Sequence, residues 1–210
     1  MIFKKESVYK LEERIKTFIE RLASEQVGSL TENIYLDKHK RENLRLYLMA
    51  LYKNKPTYML VGEAPGYKGC GVTGIPFTDE NEMKNHLGTE REGYYFENIQ
   101  CLQKENSAGI IWGAIQARND GKIPLMWNAY PFHPFKENKR SSNRKPNKTE
   151  LIVGKSYLEE LIDIFKIPKN DIYAVGRVAQ SQLGYLGTID YIRHPSHGGK
   201  TECVIGILSI

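Results

Sequence analysis

The chain has 210 residues, 40% of them hydrophobic and 26% charged, and a formal net charge of +5. That length suffices for one proper core and fits a single domain over residues 1–210. No stretch approaches the roughly 18 uninterrupted apolar residues of a membrane helix. Residues Met1-Ile2-Phe3-Lys4-Lys5-Glu6 carry charge where a secretion signal carries its apolar run, so a soluble, cytoplasmic protein without a membrane partner is expected. Cys70, Cys101 and Cys203 include no C-x-x-C pair. They are too few for a disulfide framework or a four-thiolate iron–sulfur cluster, and free thiols with no metal and no cofactor are expected.

In chain order, Val8, Leu11, Ile15, Phe18 and Leu22 recur at spacings of three and four, which predicts an amphipathic helix over 8–27. A second helix is predicted over 38–53 from Leu44, Tyr47, Leu48 and Leu51, with Pro56 beyond its end. Both N-terminal helices, within residues 1–56, are expected to pack on the core. The apolar run Tyr58-Met59-Leu60-Val61 then breaks into Gly62-Glu63-Ala64-Pro65-Gly66, the pattern of a buried strand running into a tight loop. Further strands are predicted over 125–129, 172–175 and 188–192. A helix over 149–165, with Thr149 as N-cap, and a shorter one from about Arg177 lie between them. Strands separated by helices predict an α/β fold, a three-layer sandwich whose mainly parallel four-stranded sheet is covered on both faces. In such sheets ligands gather at the carboxyl ends of the strands.

Three unusual clusters fall just after predicted strands: Gly62 to Gly66, Asn128 to Pro134, and His194 to Lys200. The dense glycines from Gly62 to Gly71 allow positive φ and close approach of backbone N–H groups to a ligand. Strict G-x-G-x-x-G spacing is absent, and no helical run opens directly after them, which argues against a dinucleotide site. The segment His194-Pro195-Ser196-His197-Gly198-Gly199-Lys200-Thr201 ends like a phosphate-binding loop but has His194 where the first glycine belongs. Between the second and third strands, residues 136–148 hold six basic residues and one acidic, a local charge of +5 that leaves the rest of the chain neutral. Such a segment reads as an exposed, mobile loop, either simply solvated or contacting phosphates through Lys139, Arg140, Arg144 and Lys145.

Together these loops resemble the uracil-DNA glycosylase superfamily. Gly62-Glu63-Ala64-Pro65-Gly66 is similar to the family's first motif in its thermophile-type form, and Gly74-Ile75-Pro76-Phe77 follows as the family's aromatic element does. Asn128 resembles the base-reading asparagine, and His194-Pro195-Ser196 resembles the terminal motif; order and spacing agree from Tyr58 to Lys200. The resemblance implies a DNA glycosylase that hydrolyses the N-glycosidic bond of uracil or a related deaminated base and starts base-excision repair. Its partner would be single-stranded or duplex DNA bound by a monomer. Gly62, Ala64, Pro65 and Gly66 would border the base, and Phe77 would stack on it. Asn128 would read its hydrogen-bonding edge. His194 would donate to the departing base, Ser196 and Lys200 would contact phosphate, and Glu63 would assist water.

Each residue also has a plainer reading: Asn128 as a turn former, Phe77 as core, His194 as a satisfied turn histidine, and Glu63 as an acceptor for loop N–H groups. The chain departs from its relatives in several places. It has Ala64 where the best-studied branch has an aspartate, Gly66 where that branch has a tyrosine, and Gly69 where the thermophile-type enzymes have an acidic residue. It lacks the four cluster cysteines and offers no apolar wedge after Ser196. A non-catalytic nucleobase- or nucleic-acid-binding module, or a different small-molecule hydrolase on the same loops, are the alternatives.

Overall fold

The computed structural model describes the backbone of residues 2–187 and 189–210 and the side chains from residue 9 onward, Thr188 excepted. Helix α1 spans Ile2–Ser24. It buries Leu11, Ile15, Phe18 and Leu22, while the expected contact of Val8 lies outside the described side chains. A two-residue strand, β1 (Thr31–Glu32), precedes helix α2 (Lys38–Asn54), whose N-cap Asp37 accepts a hydrogen bond from the His39 N–H. The α2 residue Tyr47 donates its hydroxyl to Pro124 O at 3.0 Å and accepts from the Met126 N–H at 2.8 Å. One buried phenol thus fixes α2 against the strand that carries Asn128.

Strands β2 (Met59–Gly62) and β3 (Leu125–Asn128) are buried at every position, as uninterrupted apolar runs in a sheet covered on both faces should be. Between them lie α3 (Cys70–Thr73), α4 (Glu80–His86) and α5 (Asn106–Ala117). A second short strand, β4 (His133–Pro134), pairs antiparallel with β1. Then follow α6 (Lys148–Phe165), β5 (Ile172–Val175), α7 (Arg177–Leu183), β6 (Asp190–Ile192) and α8 (Lys200–Leu208). The four-stranded sheet runs β3-β2-β5-β6, all parallel, and helices flank it as a three-layer α/β fold. Its carboxyl ends therefore share one edge, where Gly62, Asn128, Val175 and Ile192 stop. Trp127 of β3 lies against Phe18 of α1, with ring centroids 5.4 Å apart, and Phe18 in turn meets Tyr157 of α6 edge-on.

Several expectations are adjusted. Helix α6 starts one residue earlier than expected because Asn147, not Thr149, caps it; Asn147 accepts from the Glu150 N–H and Glu150 accepts from the Asn147 N–H. Strand β6 is shorter than expected, and the Thr188 end of the prediction lies outside the described residues. The basic segment is tied down along its length rather than loose. Ser142 Oγ accepts from the Lys136 N–H and donates to Lys139 O, and His133 Nε2 faces Arg140 O at 3.1 Å.

Arg144, expected to meet phosphate, instead turns inward. Its guanidinium grips both oxygens of Glu150 at 2.8 and 2.9 Å and also donates to Leu30 O, Phe135 O and Thr31 Oγ1. Burial pushes the Glu150 carboxyl up, but Arg144, the Asn147 N–H and the Thr31 hydroxyl outweigh it and leave it below its ordinary 4.5. A carboxyl held low in the folded state stabilises the fold above its unfolded value and loses that contribution as acid protonates it. Glu150→Ala is therefore expected to cost about 2–3 kcal/mol in urea unfolding at pH 7, with the difference shrinking below about pH 4.5. A loss under about 0.5 kcal/mol would mean that the Arg144 cluster does not anchor the loop.

Candidate active site

At the end of β2 the absence of a side chain creates the first part of the site. A Cβ on Gly62 would sit 2.5 Å from Phe77 Cζ and 2.8 Å from Asn128 Oδ1. The phenyl edge and the amide therefore converge on one point of the sheet edge. Asn128 is 4% exposed, and its Nδ2 donates a long bond to Cys70 Sγ at 4.0 Å. The Ala129 N–H bonds Gly62 O at 2.8 Å and the Tyr130 N–H bonds Glu63 O at 3.0 Å, so the ladder between the two loops continues past the strands.

Phe77 has φ +55, a left-handed conformation that is unfavourable for a bulky residue and persists only where neighbours enforce it. The enforcement is visible. Thr73 Oγ1 donates to Thr78 O at 2.7 Å and accepts from the Ile75 N–H, Trp112 Nε1 donates to Thr78 Oγ1, and Asn43 Nδ2 holds Thr73 O. The turn that presents Phe77 is bonded on both sides of the ring.

The second part is a cavity of about 450 Å³ lined by Glu63–Gly66, Glu105, Asn143, Gly176, Arg177 and the loop from His194 to His197. Within it the Ser196 backbone N–H donates to His194 Nδ1 at 3.2 Å. An N–H group only donates, so Nδ1 must carry a lone pair and the imidazole proton must sit on Nε2. The Ser196 hydroxyl, 2.8 Å from the same nitrogen, then donates to it and accepts from His197 Nδ1 at 3.0 Å. Burial, and secondarily His197, hold the His194 imidazole below its ordinary 6.5. His194 is thus a neutral ring with a fixed donor, Nε2–H, on a residue that lines the cavity. Glu63 shares that wall; burial pushes its carboxyl up and Lys145 partly offsets this.

The structure brings Phe77 and Asn128 together at Gly62, and brings Glu63, Ala64, Pro65, Gly66, His194 and Ser196 together in the cavity that begins one residue later. Lys139, Arg140 and Lys145 lie exposed on the basic loop. Lys200 opens α8 and lines a separate hollow of about 810 Å³ with Lys104 and Glu105. Ser196, read as a phosphate contact, spends its N–H and hydroxyl on orienting His194. Sequence reasoning passed over Glu105, Asn143, Arg177, His197 and the role of His133, which links the first motif loop (Pro65 O, 2.8 Å) to the basic loop. Of these, His133 and His197 lay inside singled-out clusters and Asn143 inside the basic segment, whereas Glu105 and Arg177 carried no signal.

The all-parallel sheet thus carries a phenyl ring and an amide at Gly62 and a neutral imidazole in the neighbouring cavity at its carboxyl edge. The model of the uracil DNA glycosylase superfamily matches residues 49–204, and the chain belongs to that superfamily. Among solved structures it is similar to wild-type SMUG2 of Pedobacter heparinus, with 18% identity, 95% of each chain covered and a TM-score of 0.72, which establishes the shared fold. No curated protein matches the chain.

The tautomer is directly measurable. Nitrogen-detected NMR of labelled protein is expected to show His194 protonated at Nε2, with its charge change below pH 6.5. Protonation at Nδ1 would contradict the Ser196-imposed orientation, and a midpoint above 6.5 would contradict the effect of burial.

Proposed function

We propose that this chain is a DNA glycosylase that hydrolyses the N-glycosidic bond of uracil or a related deaminated base in DNA and so starts base-excision repair. Membership in the superfamily supports a glycosylase-type role in general. The observation that carries the finer reading is the His194 imidazole, locked as an Nε2–H donor in the cavity whose wall begins at Glu63, one residue past the point where Phe77 and Asn128 meet.

Hydrolysis of that bond builds positive charge on the sugar and negative charge on the departing base, so a preorganised donor at the base oxygen lowers the barrier. A neutral imidazole donates without first having to be charged. The base must leave the stack to reach this edge. Phe77 then offers a ring face, and Asn128, an acceptor and a donor side by side, complements the uracil edge and opposes the reversed pattern of cytosine. Glu63 lines the cavity of His194 and is available to orient water. Lys139, Arg140, Lys145 and Lys200 supply charge for the DNA backbone without reading sequence. On this reading the protein acts as a monomer on single-stranded or duplex DNA.

Purified protein incubated with uracil-containing single-stranded and duplex oligonucleotides, then treated with alkali, is expected to yield strand breaks at uracil. Asn128→Ala and His194→Ala are each expected to slow single-turnover cleavage by about 100-fold or more with an unchanged circular-dichroism spectrum. Near wild-type rates in both variants would place the chemistry elsewhere. Binding without breaks would indicate a recognition module, and neither binding nor breaks would indicate a hydrolase of another class.

Neutralising Lys139, Arg140 and Lys145 together is expected to weaken affinity equally across sequences and flatten its salt dependence, by up to roughly one unit of slope per cation that meets a phosphate. An unchanged slope would return the basic loop to plain solvent.

A further inference from the structure

Glu105 stands at the N-cap position of α5, yet its side chain caps nothing. It points back over the first motif loop, so that a Cβ on Gly66 would lie 2.9 Å from its Oε1 and a Cβ on Gly69 would collide with its Oε2. The backbone beneath it is fixed: the Glu105 N–H donates to Asp79 Oδ2 at 2.6 Å, and the N–H groups of Glu97 and Gln103 bond the two oxygens of Glu80. Two glycines thus make room for a carboxylate that lines both the cavity of His194 and the adjoining hollow. Among the described residues no donor reaches its oxygens, and it has no ion-pair partner. Burial, and secondarily Asp79, push its carboxyl up to about 6. A desolvated carboxyl without a partner, in the wall of a cavity, marks a candidate for chemistry.

We infer that Glu105 is the general base for the hydrolytic water: held over Gly66 and Gly69, it takes the proton as the water oxygen bonds to the sugar C1′. The inference rests on the glycosylase reading above. In the step, the C1′–N bond breaks, its electron pair leaves with the base, which His194 stabilises, and the water proton moves to a Glu105 oxygen. Solvent later reprotonates the base and removes the proton from Glu105. No oxidant or further reactant is needed. The chain has no carboxylate at Ala64 or Gly69 of the same loop. Glu63, the other candidate on this wall, is also pushed up by burial, with Lys145 partly offsetting this; Glu105 is the one seated over the two glycines of the loop, with no donor on its oxygens among the described residues.

The charged and titratable groups around Glu105 come from several elements. On the cavity side they are Glu63, Arg144, Arg177, His194 and His197. On the hollow side they are Asp79, Glu82, Lys104 and Lys200, and Cys70 lies close enough to feel its charge. His194 and His197 line the same cavity and also carry exchangeable protons, so a limb in the rate profile is assigned by substitution.

Single-turnover cleavage of a uracil-containing single strand is measured from pH 5 to 9 for the wild type, Glu105→Gln and Glu105→Asp. The wild-type rate is expected to fall below about pH 6. Glu105→Gln should be about 100-fold slower or more at pH 7.5 and lack that limb, while Glu105→Asp should be intermediate and keep it. A carboxyl raised in the folded state destabilises the fold at high pH, so Glu105→Gln should also melt higher than the wild type above about pH 6. That gain should vanish below the ordinary value of 4.5. A Glu105→Gln variant within a few-fold of wild type with the limb intact would overturn the inference and leave the glycosylase reading standing. So would a variant that melts lower while Glu105→Asp is as slow and limbless as it. A wild type that does not cleave would overturn both.

Discussion

The arrangement depends on a space at Gly62 that only a hydrogen can occupy, because the Phe77 ring edge and the Asn128 carbonyl already fill the place of a Cβ there. Gly62 is paired in register with Asn128 across two fully buried parallel strands. The close approach is therefore set by sheet geometry, and a methyl group could be admitted only by moving the ring, the amide or the strand end. A buried sheet edge is stiff, so the ring and the amide are held in one mutual position before any ligand arrives.

The same economy runs through the rest of the site. Phe77 sits in a strained backbone conformation, and the Thr73, Thr78, Trp112 and Asn43 bonds around its turn make that conformation the one available. His194 takes its tautomer from the backbone two residues on, and the Ser196 hydroxyl extends the orientation to His197. The first motif loop is held to the basic loop through His133, and that loop is held to β1 and α6 through Arg144, Glu150 and Thr31. Placement of these side chains thus relies on a few buried polar bonds at the rim of an apolar core, where each bond is worth most and its loss costs most.

What could be read from the sequence followed from strand chemistry. Buried parallel strands announce themselves as short apolar runs cut off by glycine or asparagine, and β2, β3 and β5 were bounded to within a residue for that reason. The loops after them carried irregular residue clusters, so their convergence at one edge followed from parallel topology. Helix α5 escaped because Asn106–Ala117 has no charged residue to mark a polar face and includes two glycines; Glu105, at its start, went unnoticed with it. Helix α8 was hidden behind Gly198 and Gly199, and β1 and β4 are too short to show a period. Arg144 misled because composition reports charge and not its partner; the partner, Glu150, lies inside the next helix. Three-dimensional pairing of this kind leaves no one-dimensional trace.

The account stands on a single base being held by all three groups at the sheet edge. The most direct measurement is a crystal structure of the protein with a short DNA strand carrying 2′-fluorodeoxyuridine, whose glycosidic bond resists cleavage. The account places the uracil ring against the Phe77 face, its edge on the Asn128 amide, and one base oxygen about 3 Å from His194 Nε2. Uracil seated instead in the hollow beside Lys104 and Lys200, with Phe77 and Asn128 untouched, would contradict it.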